Sequence, residues 1–102
     1  MSVVKITKKN FEEVVLKSGK TVLMDFYADW CAPCRMLAPF VEEIAEENPD
    51  IIVGKVNVDE EMELAVQFNV SSIPAIFVVR DGKIIDNAIG FTPKEVLLEM
   101  LK

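Results

Sequence analysis

The sequence predicts an α/β protein with a mixed central β-sheet of four to five strands and about four helices covering both of its faces. Three observations carry that expectation. The runs "TVLMDFYA" and "IIVGKVNV" are nearly continuous in apolar residues, the pattern of strands covered on both sides in a parallel sheet. The stretch between them places apolar residues at helical spacing, which makes a strand-helix-strand unit. Farther on, Asp81-Gly82 separates "AIFVVR" from "KIIDNAIG", and a two-residue turn of that type joins antiparallel strands.

Taken in order, Asn10 and Glu13 have capping-box spacing, and Phe11, Val14 and Val15 follow at helical intervals as far as Ser18-Gly19. A first helix is expected there. After the first long apolar strand and two cysteines, Leu37, Val41, Ile44 and Ala45 form the stripe of a second helix ending at Asn48-Pro49. Pro39 lies inside it, removing one helical N–H and predicting a kink. The next strand follows by a crossover expected to be right-handed. "EEMELAVQF" fits a short helix with its acids near the favourable N-terminal end, and the hairpin comes next. Thr92, Pro93 and Glu95 then read as N-cap, N1 proline and N3 acid of a last helix running to Lys102. The order is β(α)βαβαββα in a single domain, residues 1–102, with no linker, repeat or low-complexity segment.

At 102 residues and 51% hydrophobic, the chain is large enough to bury a core without disulfide staples. Its net charge of -6 argues against nucleic acid, whose binding rests on clustered positive charge. The acids of "VEEIAEENPD" and "DEEMEL" recur between apolar positions and read as solvated helix faces. The opening "MSVVKITKKN" lacks the features of a secretory signal, and no apolar run approaches the ~18 residues of a membrane span. A soluble, cytoplasmic protein, monomeric at this size, is expected. In a reducing compartment a C-x-x-C pair is more often catalytic or metal-binding than a permanent staple.

The chemistry therefore centres on Cys31 and Cys34, the two cysteines of a chain without histidine. Residues i and i+3 in a first helical turn have Cα atoms about 5 to 6 Å apart, within disulfide range. A helix start also offers unpaired N–H groups and positive dipole charge, both favouring thiolate. Cys31, at the lip of the turn, is the natural nucleophile, and Cys34, one turn in, the natural resolving thiol. Pro33 has no N–H to lose and suits the first helical turn, with Ala32 as a small helix-favouring neighbour. A zinc site would need about four ligands, which here only carboxylates or a second chain could complete. A structural disulfide closing so short a loop would add little stability. Inert thiols fit poorly with a helix N-terminus.

Asp25 interrupts an apolar strand. Pointing into covered space without a partner, it should have a raised pKa and could exchange a proton with Cys34. The alternative is a strand edge that lets it reach water or a backbone N–H. Lys55, embedded in "IIVGKVNV", either leans toward that acid and moderates it or simply snorkels to water.

"DFYADWCAPCR", "VSSIPAIFVV" and "AIG" resemble the thioredoxin family, and the agreement extends along the whole chain. The family's Trp-Cys-Gly-Pro-Cys site reads Trp30-Cys31-Ala32-Pro33-Cys34 here, with an aspartate six positions before the first cysteine and an Ile-Pro some forty residues later. The resemblance implies a thioredoxin fold with the redox-active disulfide at the end of the central strand, no bound cofactor or metal, and reduction of protein disulfides. By motif match Cys31 is the attacking thiol, Cys34 the resolving thiol, Asp25 the buried proton-transfer acid and Lys55 its modulating neighbour. Pro74 matches a cis-proline facing the disulfide, and the Ile73 backbone the segment that pairs with extended substrate. Trp30, Pro33, Ile73, Ile89 and Gly90 should form the apolar docking surface. The implied partners are protein disulfides and a flavin- or ferredoxin-linked thioredoxin reductase. Ala32 departs from the usual glycine, Tyr27 stands where the aromatic is often tryptophan, and Arg35 replaces a frequent lysine. A disulfide oxidase or isomerase on the same fold, or a non-catalytic binding module, are the competing functions.

Overall fold

The computed structural model describes residues 3–102. Its elements are β1 (Val3–Lys5), a π-helical segment (Glu12–Leu16), β2 (Val22–Tyr27), α1 (Ala32–Glu47), β3 (Ile52–Asn57), α2 (Met62–Gln67), β4 (Ala75–Arg80), β5 (Lys83–Ile89) and α3 (Lys94–Met100). This is the expected order. The five strands lie as β1-β3-β2-β4-β5, with β3 parallel to both β1 and β2, and the pairs β2/β4 and β4/β5 antiparallel.

Burial follows from that order. β2 is central, and Val22 through Phe26 are all buried. β5 is an edge strand, and of its residues only Ala88 is half-buried. Even-numbered β2 residues Val22, Met24 and Phe26 enter one core with Phe68 and Phe77; Leu23 enters the other with Leu37, Ile44 and Ile76. Gly54 on β3 has no room for a side chain, because a Cβ there would collide with Ile6 Cδ1. The β4/β5 turn places Asp81 at φ 54° and Gly82 at φ 75°, the paired positive values that a two-residue hairpin of the expected type requires.

Two capping expectations are corrected. Asn10 does not cap a helix: its Oδ1 accepts from the Thr7 N–H at 2.8 Å and its Nδ2 donates to Lys5 O at 2.9 Å, closing the preceding turn instead. The segment after it begins at Phe11, which has no side-chain acceptor, and widens to a π turn in which Lys17 N–H donates to Glu12 O at 2.9 Å. Thr92 likewise spends its hydroxyl on Gly90 O, at 3.0 Å. Pro93 is therefore the extended N-cap residue (φ -61°, ψ 151°), and α3 starts at Lys94 and ends at Met100, short of Lys102. In α2 only Glu63 falls in the first turn.

The long helix α1 carries Pro39 without being interrupted and buries Leu37, Val41, Ile44 and Ala45 as predicted. Lys94 of α3 holds it from the side through Glu43 and Glu47, at 2.9 and 3.0 Å. Among the described residues, no helix is long and apolar enough to cross a membrane.

Candidate active site

The site is built where the central strand gives way to the longest helix. β2 ends at Tyr27, and a turn through Ala28, Asp29 and Trp30 brings Cys31 to the N-cap of α1 in extended conformation (φ -91°, ψ 107°). The Cys31 N–H donates back to Ala28 O at 3.1 Å and Arg35 to Asp29 O at 2.8 Å, so both sides of the turn are tied. Ala32 and Pro33 are the first two helical residues, where a missing proline N–H costs nothing. Cys31 and Cys34 are joined in a disulfide with Cα atoms 5.2 Å apart, inside the range expected from the helical spacing.

The two sulfurs are not equivalent. The Cys34 backbone N–H donates to Cys31 Sγ at 3.3 Å, a capping bond with sulfur as acceptor. Exposure does not separate them, since Cys31 is 4% and Cys34 3% exposed. Their surroundings do. Cys31 Sγ lies 3.8 Å from the carbonyl oxygen of Ile73, whereas Cys34 lines a pocket of about 170 Å³ behind the disulfide.

Opposite the disulfide runs the Ile73-Pro74 segment, whose peptide bond is cis. Pro74 is buried, so it does not present its ring as docking surface; its carbonyl accepts from Gly90 N–H at 2.7 Å and brings Ile89-Gly90 alongside. Trp30, Pro33 and Ile89 are exposed and Ile73 and Gly90 half-buried, and of these Ile73 packs against the cysteine pair. Trp30 is 68% exposed, yet its indole N–H is fixed on Asp59 Oδ2 at 2.9 Å. Sequence reasoning missed Asp59. The available signal was that an indole N–H usually finds an acceptor and that acids cluster just after β3.

Asp25 is 4% exposed, and its Oδ1 has no hydrogen-bond partner. Burial raises its carboxyl from the ordinary 3.8 to about 7, with the Lys55 ammonium pulling the other way. The carboxyl opens on the same pocket as Cys34, Tyr27 and Lys55. Lys55 is the register neighbour of Asp25 on β3, and its Nζ lies 5.6 Å from the centre of the Tyr27 ring. Among the described residues, no group of three or more histidine, cysteine or acidic side chains converges on a metal position.

A cysteine pair closing at a helix N-terminus, on a pocket shared with a buried acid, is the arrangement of a thiol–disulfide exchange protein. Residues 2–102 match the family model described as Thioredoxin, and the chain belongs to the thioredoxin family. It is 42% identical over 97 residues to a thioredoxin of Mycoplasmoides gallisepticum, covering 95% of this chain and 97% of that one. With a thioredoxin of Bacillus subtilis the identity is 41% over 102 residues, covering 99% and 96%. A solved mutant thioredoxin from Halobacterium salinarum NRC-1 superposes with a TM-score of 0.91 at 33% identity, covering 98% of this chain and 88% of that one. The function is thiol–disulfide oxidoreduction, and the redox-active group is the protein's own disulfide.

Proposed function

We propose that the protein is a cytoplasmic protein-disulfide reductase that acts through Cys31 and Cys34. The observation that carries this reading is the asymmetry of the pair: Cys31 Sγ receives a backbone N–H and faces the Ile73 carbonyl, while Cys34 faces the pocket of Asp25. In the reduced protein an extended substrate segment lies along the Ile73 backbone and against Trp30, Pro33 and Ile89-Gly90. The Cys31 thiolate attacks one sulfur of the substrate disulfide. A mixed disulfide forms, and the other substrate sulfur leaves as thiolate. Asp25, whose high pKa suits it to hold or accept a proton at neutral pH, takes the proton of Cys34 through the pocket. The Cys34 thiolate then attacks Cys31 Sγ, expels the second substrate thiolate and leaves the disulfide seen here. Two electrons have passed to the substrate. A thioredoxin reductase, flavin- or ferredoxin-linked, restores the dithiol.

The test is a pair of substitutions. Cys31→Ser should abolish reduction of a protein disulfide with dithiothreitol as the electron source, and Cys34→Ser should accumulate a covalent adduct visible by mass spectrometry. Multiple turnovers by Cys31→Ser would overturn the assignment. The potential of the pair, followed by Trp30 fluorescence, should lie near roughly -270 mV; a value between roughly -180 and -120 mV would make the protein an oxidase or isomerase.

A further inference from the structure

Tyr27 takes part in the site as well as in packing. It stands two residues after Asp25 on β2, so both side chains leave the same face of the strand, and both line the pocket that Cys34 closes. Lys55, directly beside Asp25 in the parallel register, has two places to put its ammonium: against the carboxylate or over the ring. It lies over the ring, 5.6 Å from the centroid. Among the described residues it forms no ion pair with Asp25, whose Oδ1 remains without a partner.

We infer that Tyr27 is a positioning residue for the proton step, its ring holding the Lys55 ammonium short of the Asp25 carboxyl so that the acid can both take up and release a proton near neutral pH. The inference rests on the reading of Asp25 as the proton-transfer acid. Two physical facts make the arrangement work. An aromatic face attracts an ammonium without neutralising it, and direct contact of an ammonium with a buried carboxylate would drive that carboxyl down by about one to three pKa units. Lys55 therefore acts on Asp25 from a distance, lowering its pKa only in part against the upward push of burial.

Two other cations, Arg35 and Lys5, border this region, and each has a partner of its own. From α1, Cys34 and the acid Glu42 line the pocket, as does Arg35, whose guanidinium donates to Asp29 O at 2.8 Å. The loop contributes Asp29, β4 brings Ile76, and β1 brings Val3 and, in register with Lys55, Lys5, whose ammonium pairs with Glu60 at 3.3 Å. Removing the ring should thus let Lys55 close on the carboxyl.

The experiment titrates the Asp25 carboxyl carbon by NMR in the oxidised protein, for Tyr27→Leu and Tyr27→Phe, each also made with Lys55→Met. Tyr27→Leu should lower the midpoint by about one pH unit. Tyr27→Phe, which keeps the ring, should leave it near the parent value. With Lys55→Met in place, Tyr27→Leu should produce no shift. An unchanged or raised midpoint in Tyr27→Leu overturns the inference, as does a drop that persists without Lys55, which would mean that water entering the pocket caused it. Tyr27→Met, a flexible apolar filler, serves the same comparison if Tyr27→Leu folds poorly. Turnover against pH is measured alongside. If Asp25→Asn leaves that profile unaltered, the proton-transfer reading falls, while the titration still decides what Tyr27 does.

Discussion

The two faces of β2 use the same strand for opposite ends. On one face Phe26 meets Phe68 and Phe77 with ring centres 5.3 and 5.5 Å away, and Val22 and Met24 complete a core without a charge. On the other, Leu23 is packed against aliphatic residues, but its successor on that face is Asp25, buried, unpartnered and beside a pocket. Filling that space with an apolar residue would stabilise the fold. Leaving it to a carboxyl keeps an ionisable group on the pocket that Cys34 also lines, and in the proposed mechanism stability and chemistry are divided between the two faces of six residues.

The largest effect should come from breaking the packed face. Phe26→Ala removes a ring that packs against two others, edge-on to Phe77 and tilted to Phe68, and such truncations cost about 3 to 5 kcal/mol. Denaturant unfolding should show that loss, while the turnover of whatever fraction remains folded stays close to that of the parent. A folded variant with strongly reduced turnover would mean that the two faces are not separate.

Asp25→Asn should act in the opposite direction, and its sign depends on pH. Because the folded-state pKa is raised from 3.8 to about 7, the folded protein holds a proton that the unfolded chain releases between those values. The stability associated with Asp25 is fully present below about 4 and is lost as pH rises through about 7. Asparagine, which mimics the protonated acid, should therefore match the parent at low pH and exceed it above pH 7, by at most about 4 kcal/mol. Turnover should slow over the same range. Equal unfolding midpoints at acid and alkaline pH would show that Asp25 is solvated and would remove the contrast between the faces.

Much of this was legible in the chain because strong local signals and the fold agree. The long apolar strands, the stripe on α1 and the Asp81-Gly82 turn depend on periodicity and backbone preference alone, and each appears where expected. Asn10 and Thr92 misled because a short polar side chain has several backbone partners within reach. Which one it takes is decided by the turn it sits in, at Thr7 and at Gly90, and not by spacing to a downstream acid. At the site, the helical spacing was enough to place the two sulfurs in bonding range. The contacts Trp30–Asp59 and Lys55–Tyr27 join separate segments, and their geometry exists only once β2 and β3 are paired.

Trp30 offers the smallest effect on stability and the finest test of the division. It is an aromatic of the same strand-to-helix region as Phe26, but it is 68% exposed and held by one hydrogen bond to Asp59, so burial contributes little to keeping it there. Trp30→Phe removes the indole N–H and part of the ring while leaving an aromatic surface beside Cys31. Unfolding should shift by no more than about 0.5 kcal/mol, as for surface positions generally. Docking should suffer instead. The KM for a protein disulfide is expected to rise several-fold, by roughly the factor that about 1 kcal/mol implies. Reduction of a small aliphatic disulfide, which needs no docking surface, should change little. A loss of the same size with both substrates would place Trp30 in the positioning of Cys31 itself; a stability loss comparable to that of Phe26→Ala would place it in the core despite its exposure.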